Sequence, residues 1–333
     1  VSERAATAPA ASPRRRIAIA VLAVLVGCFL AVSIASQVGD FQHVDWRFRP
    51  AWLAASIVLL IAFQAMHALL WTALVRATGG TLPPGAGTRI FSIAMLTRYV
   101  PTQILMALTR ISMLGARGVS RSVAAASLAY EFPLVVGSAF ALSTAFLIDL
   151  PELRHHGWRW IALAAPVVLL GALHPRVVDA LETRLSARLG IVSGHLTLRL
   201  RALVPFVVAY LASFAVAGLG VYAFARSIEP STHLDLRVLT SYAIGYSASV
   251  LAFFIPGGLG ARDGATATAL SAVMPASVAV AVAVGVRLIQ TVIELGYAGV
   301  CELLHRRGVA RARARAGAAV TAAPPARGTP RTY

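Results

Sequence analysis

Lysine is missing from this 333-residue chain: all 30 basic residues are arginine. Acidic residues number only 13, and charged residues make up 13% of the sequence. So little charge cannot coat the two soluble domains that the length alone would suit. Cysteine is nearly absent too. Cys28 and Cys301 sit at opposite ends of the chain in apolar segments, which excludes a disulfide framework and a thiolate metal site. No His/Cys/Asp cluster has metal-ligand spacing, and no nucleophile–base arrangement is visible. No metal, cofactor or catalytic group is therefore expected.

What is abundant is apolar: hydrophobic residues make up 58% of the chain. Apolar runs of about 20 residues recur along it, the length that crosses the hydrocarbon of a bilayer. This predicts an all-α, polytopic membrane helix bundle. A single transmembrane domain is expected over 17–304, between disordered, basic, cytoplasmic tails at 1–16 and 305–333. Arg14-Arg15-Arg16 precedes an apolar stretch longer than a signal-peptide core, so 17–36 reads as a retained first span; a cleavable signal is the alternative. The net charge of +17 reads as orientation and attraction to anionic head groups. Nucleic acid is not an expected partner, because the arginines lie between apolar spans.

Six full crossings are predicted, at 17–36, 51–75, 122–148, 158–173, 203–225 and 277–304. Val178, Leu181, Leu185 and Leu189 share one helix face, which fits an interfacial helix near 176–189. The Arg-rich stretches 1–16, 76–89, 110–121, 174–202 and the C-terminal tail should be cytoplasmic, and 37–50, 149–157 and 226–236 external. Segments 90–108 and 237–275 must then return to the face they left. Both are read as broken, re-entrant segments dipping from opposite sides in an inverted-repeat arrangement; two close crossings at 238–275 satisfy the parity equally.

Each interruption carries unusual residues. Arg98, Tyr99 and Pro101 break the first segment, since proline removes a donor and opposes the preceding turn. In the second, Gly257, Gly258 and Gly260 free the backbone, and a helix is expected after Gly260 with Asp263 in its first turn, where amides bind anions. Broken helices persist at membrane depth only around a protein-lined or polar cavity, and paired interruptions point to a transport site. Six ionisable residues fall at that depth: Arg98, Glu131, Arg262, Asp263, Arg287 and Glu294. Three cations against three anions suggest pairing within one site. Glu131 is either a structural partner of Arg98 or Arg262 across the bundle, or a proton- or ion-coupling carboxylate or the partner of a cationic head group. Arg287 and Glu294, seven apart, share a helix face and either neutralise each other or leave Arg287 to hold a phosphate. All these residues are candidate substrate-binding positions.

The motifs resemble the lysylphosphatidylglycerol synthase transmembrane-region family. The matching stretches are Arg98-Tyr99-Val100-Pro101, Leu114-Gly115-Ala116-Arg117-Gly118-Val119-Ser120 leading to Glu131, and Pro256-Gly257-Gly258-Leu259-Gly260-Ala261-Arg262-Asp263-Gly264-Ala265 with Arg287-Leu288 beyond. Where the family usually carries Gly, Glu and Arg, this chain has Thr102, Asp263 and Phe132. The resemblance implies movement of aminoacylated or glycosylated lipids across a bacterial cytoplasmic membrane, without catalysis. Larger relatives append a soluble aminoacyl transferase, for which the 29 residues after Leu304 are too few. The leading expectation is a lipid flippase or lipid-linked-substrate transporter with membrane lipids as partners. The alternative is an accessory subunit that presents lipid to a separate aminoacyl- or glycosyltransferase. Nothing in the sequence points to an oligomeric state.

Overall fold

The structure, a computed structural model, describes residues 48–99, 104–147, 158–174, 176–177, 180, 198–252 and 260–322. Among them every regular element is helical. In chain order these are α1 (Pro50–Ala77), α2 (Pro84–Leu96), a 3-10 turn (Thr97–Tyr99), α3 (Ile104–Gly115), α4 (Arg121–Leu147), α5 (Trp158–Gly171), α6 (Leu200–Ile228), α7 (Leu236–Leu251), α8 (Ala261–Ser271) and α9 (Ala276–Ala322). Among the described residues α1, α4, α6 and α9 are long and apolar enough to cross a bilayer, with mean hydropathies of 2.1, 1.5, 2.2 and 2.0 over their best windows. The chain is thus a multi-pass helical membrane protein. The expected span at 17–36 and most of the expected interfacial helix at 176–189 lie outside the described residues.

Antiparallel packing of α1 on α6 forms the spine of the bundle. Arg49 N donates to Ser227 O (2.9 Å), Ser56 Oγ donates to Gly220 O (2.8 Å), and His67 Nε2 meets Ser213 Oγ (3.0 Å), so the pairing runs from one end of α1 towards the other. With no water to compete, each small polar group finds a partner on the facing helix or on its own preceding turn. Phe63 closes this seam, packing against Phe214 (5.9 Å between centroids) and Tyr242 (5.1 Å).

The four short helices form two hairpins. At 13, 12, 16 and 11 residues, α2, α3, α7 and α8 each fall short of the roughly 20 needed to span a membrane. Leu82 before α2, Leu114 near the end of α3, Val75 at the end of α1 and Val119 before α4 share one buried cluster. The α2–α3 hairpin therefore starts and finishes at the end of the bundle where Arg76, Arg89, Arg117 and Arg121 gather. The α7–α8 hairpin does so at the other end, where α6 finishes and α9 begins: Ile228, Val238, Leu270, Met274 and Val278 pack in the larger core. The α-helical pattern of the first hairpin stops at Leu96 and tightens into the 3-10 turn; that of the second resumes after Gly260.

Close approach inside the second hairpin depends on Gly245 of α7. A Cβ there would run into the Thr266 hydroxyl and lie 2.9 Å from the Arg262 carbonyl of α8. Overpacking of this kind costs about 1–3 kcal/mol. A Gly245→Ala variant is expected to unfold at lower temperature in detergent than the parent. Adding Thr266→Ala should recover part of the loss, because only one of the two obstructing atoms is removed.

Candidate substrate cavity

Between the two hairpins lies a cavity of about 250 Å³. Its wall is assembled from separate elements: Arg98 from the 3-10 turn, Arg110 from α3, Glu131 from α4, Tyr242 and Tyr246 from α7, Arg262 from α8, Gln290 and Glu294 from α9, and Gln64 and His67 from α1. Helical spacing explains the last two pairs. Arg287, Gln290 and Glu294 fall at i, i+3 and i+7 on one face of α9, and Phe63, Gln64 and His67 fall together on one face of α1. Pro133 removes one ladder hydrogen bond from α4 just beyond Glu131.

Two ion pairs tie the first hairpin to the long helices. Arg98 Nη2 contacts Glu294 Oε1 at 2.6 Å, and the Glu294 side chain is only 1% exposed. Gln290 Nε2 donates to the same oxygen (3.3 Å) and to Gln64 Oε1 (3.4 Å), linking α9 to α1. Arg110 Nη1 pairs with Glu131 Oε2. The Arg110 guanidinium also lies 4.8 Å from the Trp71 ring centroid and 4.6 Å from that of Phe91. The cation thus lies over two neighbouring rings, whose centroids are 6.1 Å apart, and pairs with a carboxylate, an arrangement that suits a weakly hydrated guanidinium.

Arg262 is held differently. It is 7% exposed, lines the cavity, and stacks over the Tyr242 ring at 4.7 Å. Among the described residues no carboxylate and no hydrogen-bond acceptor pairs with its guanidinium. Gly260 caps the helix that carries it with φ +76, a conformation that a side chain strains, and Asp263 follows in the first turn. Asp263 and Arg287 are buried behind the wall, and Arg287 lies within Coulombic range of Arg262, Arg98, Asp263 and Glu294.

The structure thus brings Arg98, Glu131, Arg262 and Glu294 to one cavity, with Asp263 and Arg287 behind it. Gly260 supports the site from the start of α8. Tyr99 contributes its backbone to the 3-10 turn, and Pro101, Gly257 and Gly258 lie outside the described residues. Two expected pairings are corrected. Glu131 is paired with Arg110, not with Arg98 or Arg262, and Glu294 is paired with Arg98 across the bundle rather than with Arg287 alone. Arg110, expected in a cytoplasmic loop, is 1% exposed on α3. The balance of three cations and three anions accordingly becomes four arginines against three carboxylates. The missed signal was the run Ile111, Met113 and Leu114, which extends the apolar pattern past residue 108 and encloses Arg110 in a helix. Among the described residues no group of His, Cys, Asp or Glu could hold a metal ion.

Removing one partner of a buried pair leaves an uncompensated charge and costs about 3–5 kcal/mol, whereas replacing both with apolar groups is often neutral. Arg110→Met is expected to destabilise the protein strongly in detergent unfolding. The double variant Arg110→Met, Glu131→Leu should regain most of that loss.

No curated protein and no solved structure was found to match the chain. A family model does match, over residues 17–296, which takes in every helix of the cavity except the far part of α9. By that match the chain belongs to the lysylphosphatidylglycerol synthase TM region family, a lipid-related family of membrane proteins.

Proposed function

We propose that this protein binds the phosphate-bearing head group of a membrane lipid in the cavity and carries it between leaflets. It would act as a flippase or lipid-linked-substrate transporter of a bacterial cytoplasmic membrane, and not as an enzyme. The observation that carries the reading is Arg262: an arginine 7% exposed, on a cavity wall, with an aromatic ring as its guanidinium's partner. A lone buried cation is costly at membrane depth and marks a substrate path. Guanidinium matches phosphate through paired hydrogen bonds. The volume of about 250 Å³ is below that of a typical drug-sized site, so a head group fits and acyl chains do not. Phe132 lines the same cavity yet is 58% exposed, which supports an opening through which the chains stay in the bilayer.

The hairpins supply the two sides of the transport cycle in this reading. One enters from the Arg-rich end, taken as cytoplasmic by the distribution of arginine, and the other from the opposite end. Arg98 and Arg110 bind the first hairpin to α9 and α4, while Arg262 belongs to the second. A phosphate held by Arg262 and shared with Arg98 would bridge the hairpins. It would favour whichever arrangement brings them together, and that differential contact is what shifts a two-state equilibrium.

A labelled phospholipid in proteoliposomes is expected to change leaflet faster with the protein than without it, and Arg262→Ala should reduce the rate at least tenfold while the protein elutes as the parent does. Unchanged transport by a folded Arg262→Ala variant would remove this residue from the mechanism. Lipid binding without transport would favour the accessory-subunit reading. Single cysteines at Arg117 and Ser231, both exposed, test the topology in a background lacking Cys28 and Cys301. A membrane-impermeant thiol reagent should reach Ser231→Cys from outside the cell and Arg117→Cys only after lysis.

A further inference from the structure

We infer that the cavity also binds a small inorganic anion, such as chloride, in exchange with the lipid phosphate. The inference rests on the reading of the cavity as a head-group site and supplies the return half of its cycle. Arg98, Arg110, Arg262 and Arg287 stand on or behind the wall with Glu131, Asp263 and Glu294, an excess of one cation. A bound phosphate cancels that excess. Once the head group has left, the excess returns, at a depth where an uncompensated charge is strongly disfavoured. A rearrangement of the hairpins around an empty cavity would move a bare cation, whereas one around a bound ion moves a balanced set.

The donors for such an ion are in place. Arg262 lies over the Tyr242 ring, and among the described residues no carboxylate pairs with it. None of its nitrogens is among the buried polar atoms sealed from any partner, so its N–H groups open on the cavity. Tyr246 lines the same wall within Coulombic range of Arg262. Its hydroxyl is likewise neither sealed nor bonded among the described residues, and it can donate to an anion. A spherical ion accepts from N–H and O–H groups without demands on their orientation, so it needs no further polar group. The ion and the phosphate exclude each other, because both use the N–H groups of Arg262. Either one cancels the excess, and the second would bring net negative charge into the cavity.

Purified full-length protein in neutral detergent is dialysed against radiolabelled chloride in gluconate buffer of constant ionic strength, so that screening does not change. Saturable binding of one chloride per chain is expected, and a fluorescent phosphatidylglycerol, its own binding read in the same sample, should displace the ion. Arg262→Gln, which balances the charges, should weaken chloride binding at least tenfold. Arg262→Lys should keep part of it, and Arg201→Gln, on the exposed start of α6, should leave it intact. In proteoliposomes, chloride in place of gluconate on the face that receives the lipid should speed lipid movement at least threefold. Absence of saturable binding by the wild type overturns the inference, and the wild-type measurements decide it if the Arg262 variants do not fold. So does chloride that stays bound beside the lipid, a folded Arg262→Gln protein that binds chloride as the parent does, or lipid movement indifferent to chloride. Chloride bound by a protein that takes up or moves no lipid overturns the head-group or transport reading instead and leaves the anion site standing.

Discussion

The pairing of Arg110 with Glu131 holds the first hairpin against the body of the bundle, and the cavity exists because of it. The α3 helix is 12 residues long and cannot anchor itself by spanning the bilayer. Its fixed point is a guanidinium that lies over the rings of Trp71 of α1 and Phe91 of α2 and pairs with the Glu131 carboxylate of α4. Three helices are thereby joined through one side chain. The second tie, Arg98 to Glu294, fixes the broken end of α2 to α9. Between the two ties the wall stays open, and that gap is the cavity.

Low dielectric makes these contacts compulsory. In water an ion pair between exposed side chains adds little, because solvent competes for both partners. Surrounded by hydrocarbon and protein, neither charge has an alternative, so Arg98 takes a carboxylate, Arg262 a ring face and Arg110 both. The polar chain from Gln64 through Gln290 to Glu294 follows the same necessity, since the Gln290 amide donates both to Gln64 Oε1 and to the Glu294 carboxylate. The contrast with the Arg89–Glu302–Arg306 cluster is instructive. There the side chains are 18%, 24% and 62% exposed, at the Arg-rich end, and the pairing stabilises the surface rather than defining a cavity.

Much of the architecture was legible because the bilayer leaves few solutions. Long apolar runs gave α1, α4, α6 and α9, and the proline and glycine interruptions marked the places where a helix could not continue. Gly260 before α8 and Asp263 in its first turn could be placed from glycine's backbone freedom and the helix dipole alone. Partner choice was not legible. Arg110 and Glu131 are 21 residues apart, on different helices, and nothing local distinguishes that match from Arg98 or Arg262 with the same glutamate. Such a choice is made by the crossing of helices in three dimensions. Arg110 was also masked by its neighbours: followed by Arg117 and Arg121, it read as the first charge of a basic loop, although the helix runs on to Gly115.

Arg262 shows where stability has been given up. It sits in the first turn of α8, where the unpaired amides already present positive partial charge, and a second positive charge there is unfavourable. Asp263, one residue on, offsets the dipole, and the Tyr242 ring offsets some of the desolvation, but neither is an ion-pair partner of the guanidinium. Arg98 and Arg110 show that this chain can place a carboxylate against a buried arginine. A sequence selected for stability alone would place a carboxylate opposite Arg262 or an apolar residue in its position. Local rules are broken in this way where function requires it. In the proposed function, an arriving anion would relieve the unfavourable ground state of Arg262, and binding would be coupled electrostatically to the approach of the two hairpins.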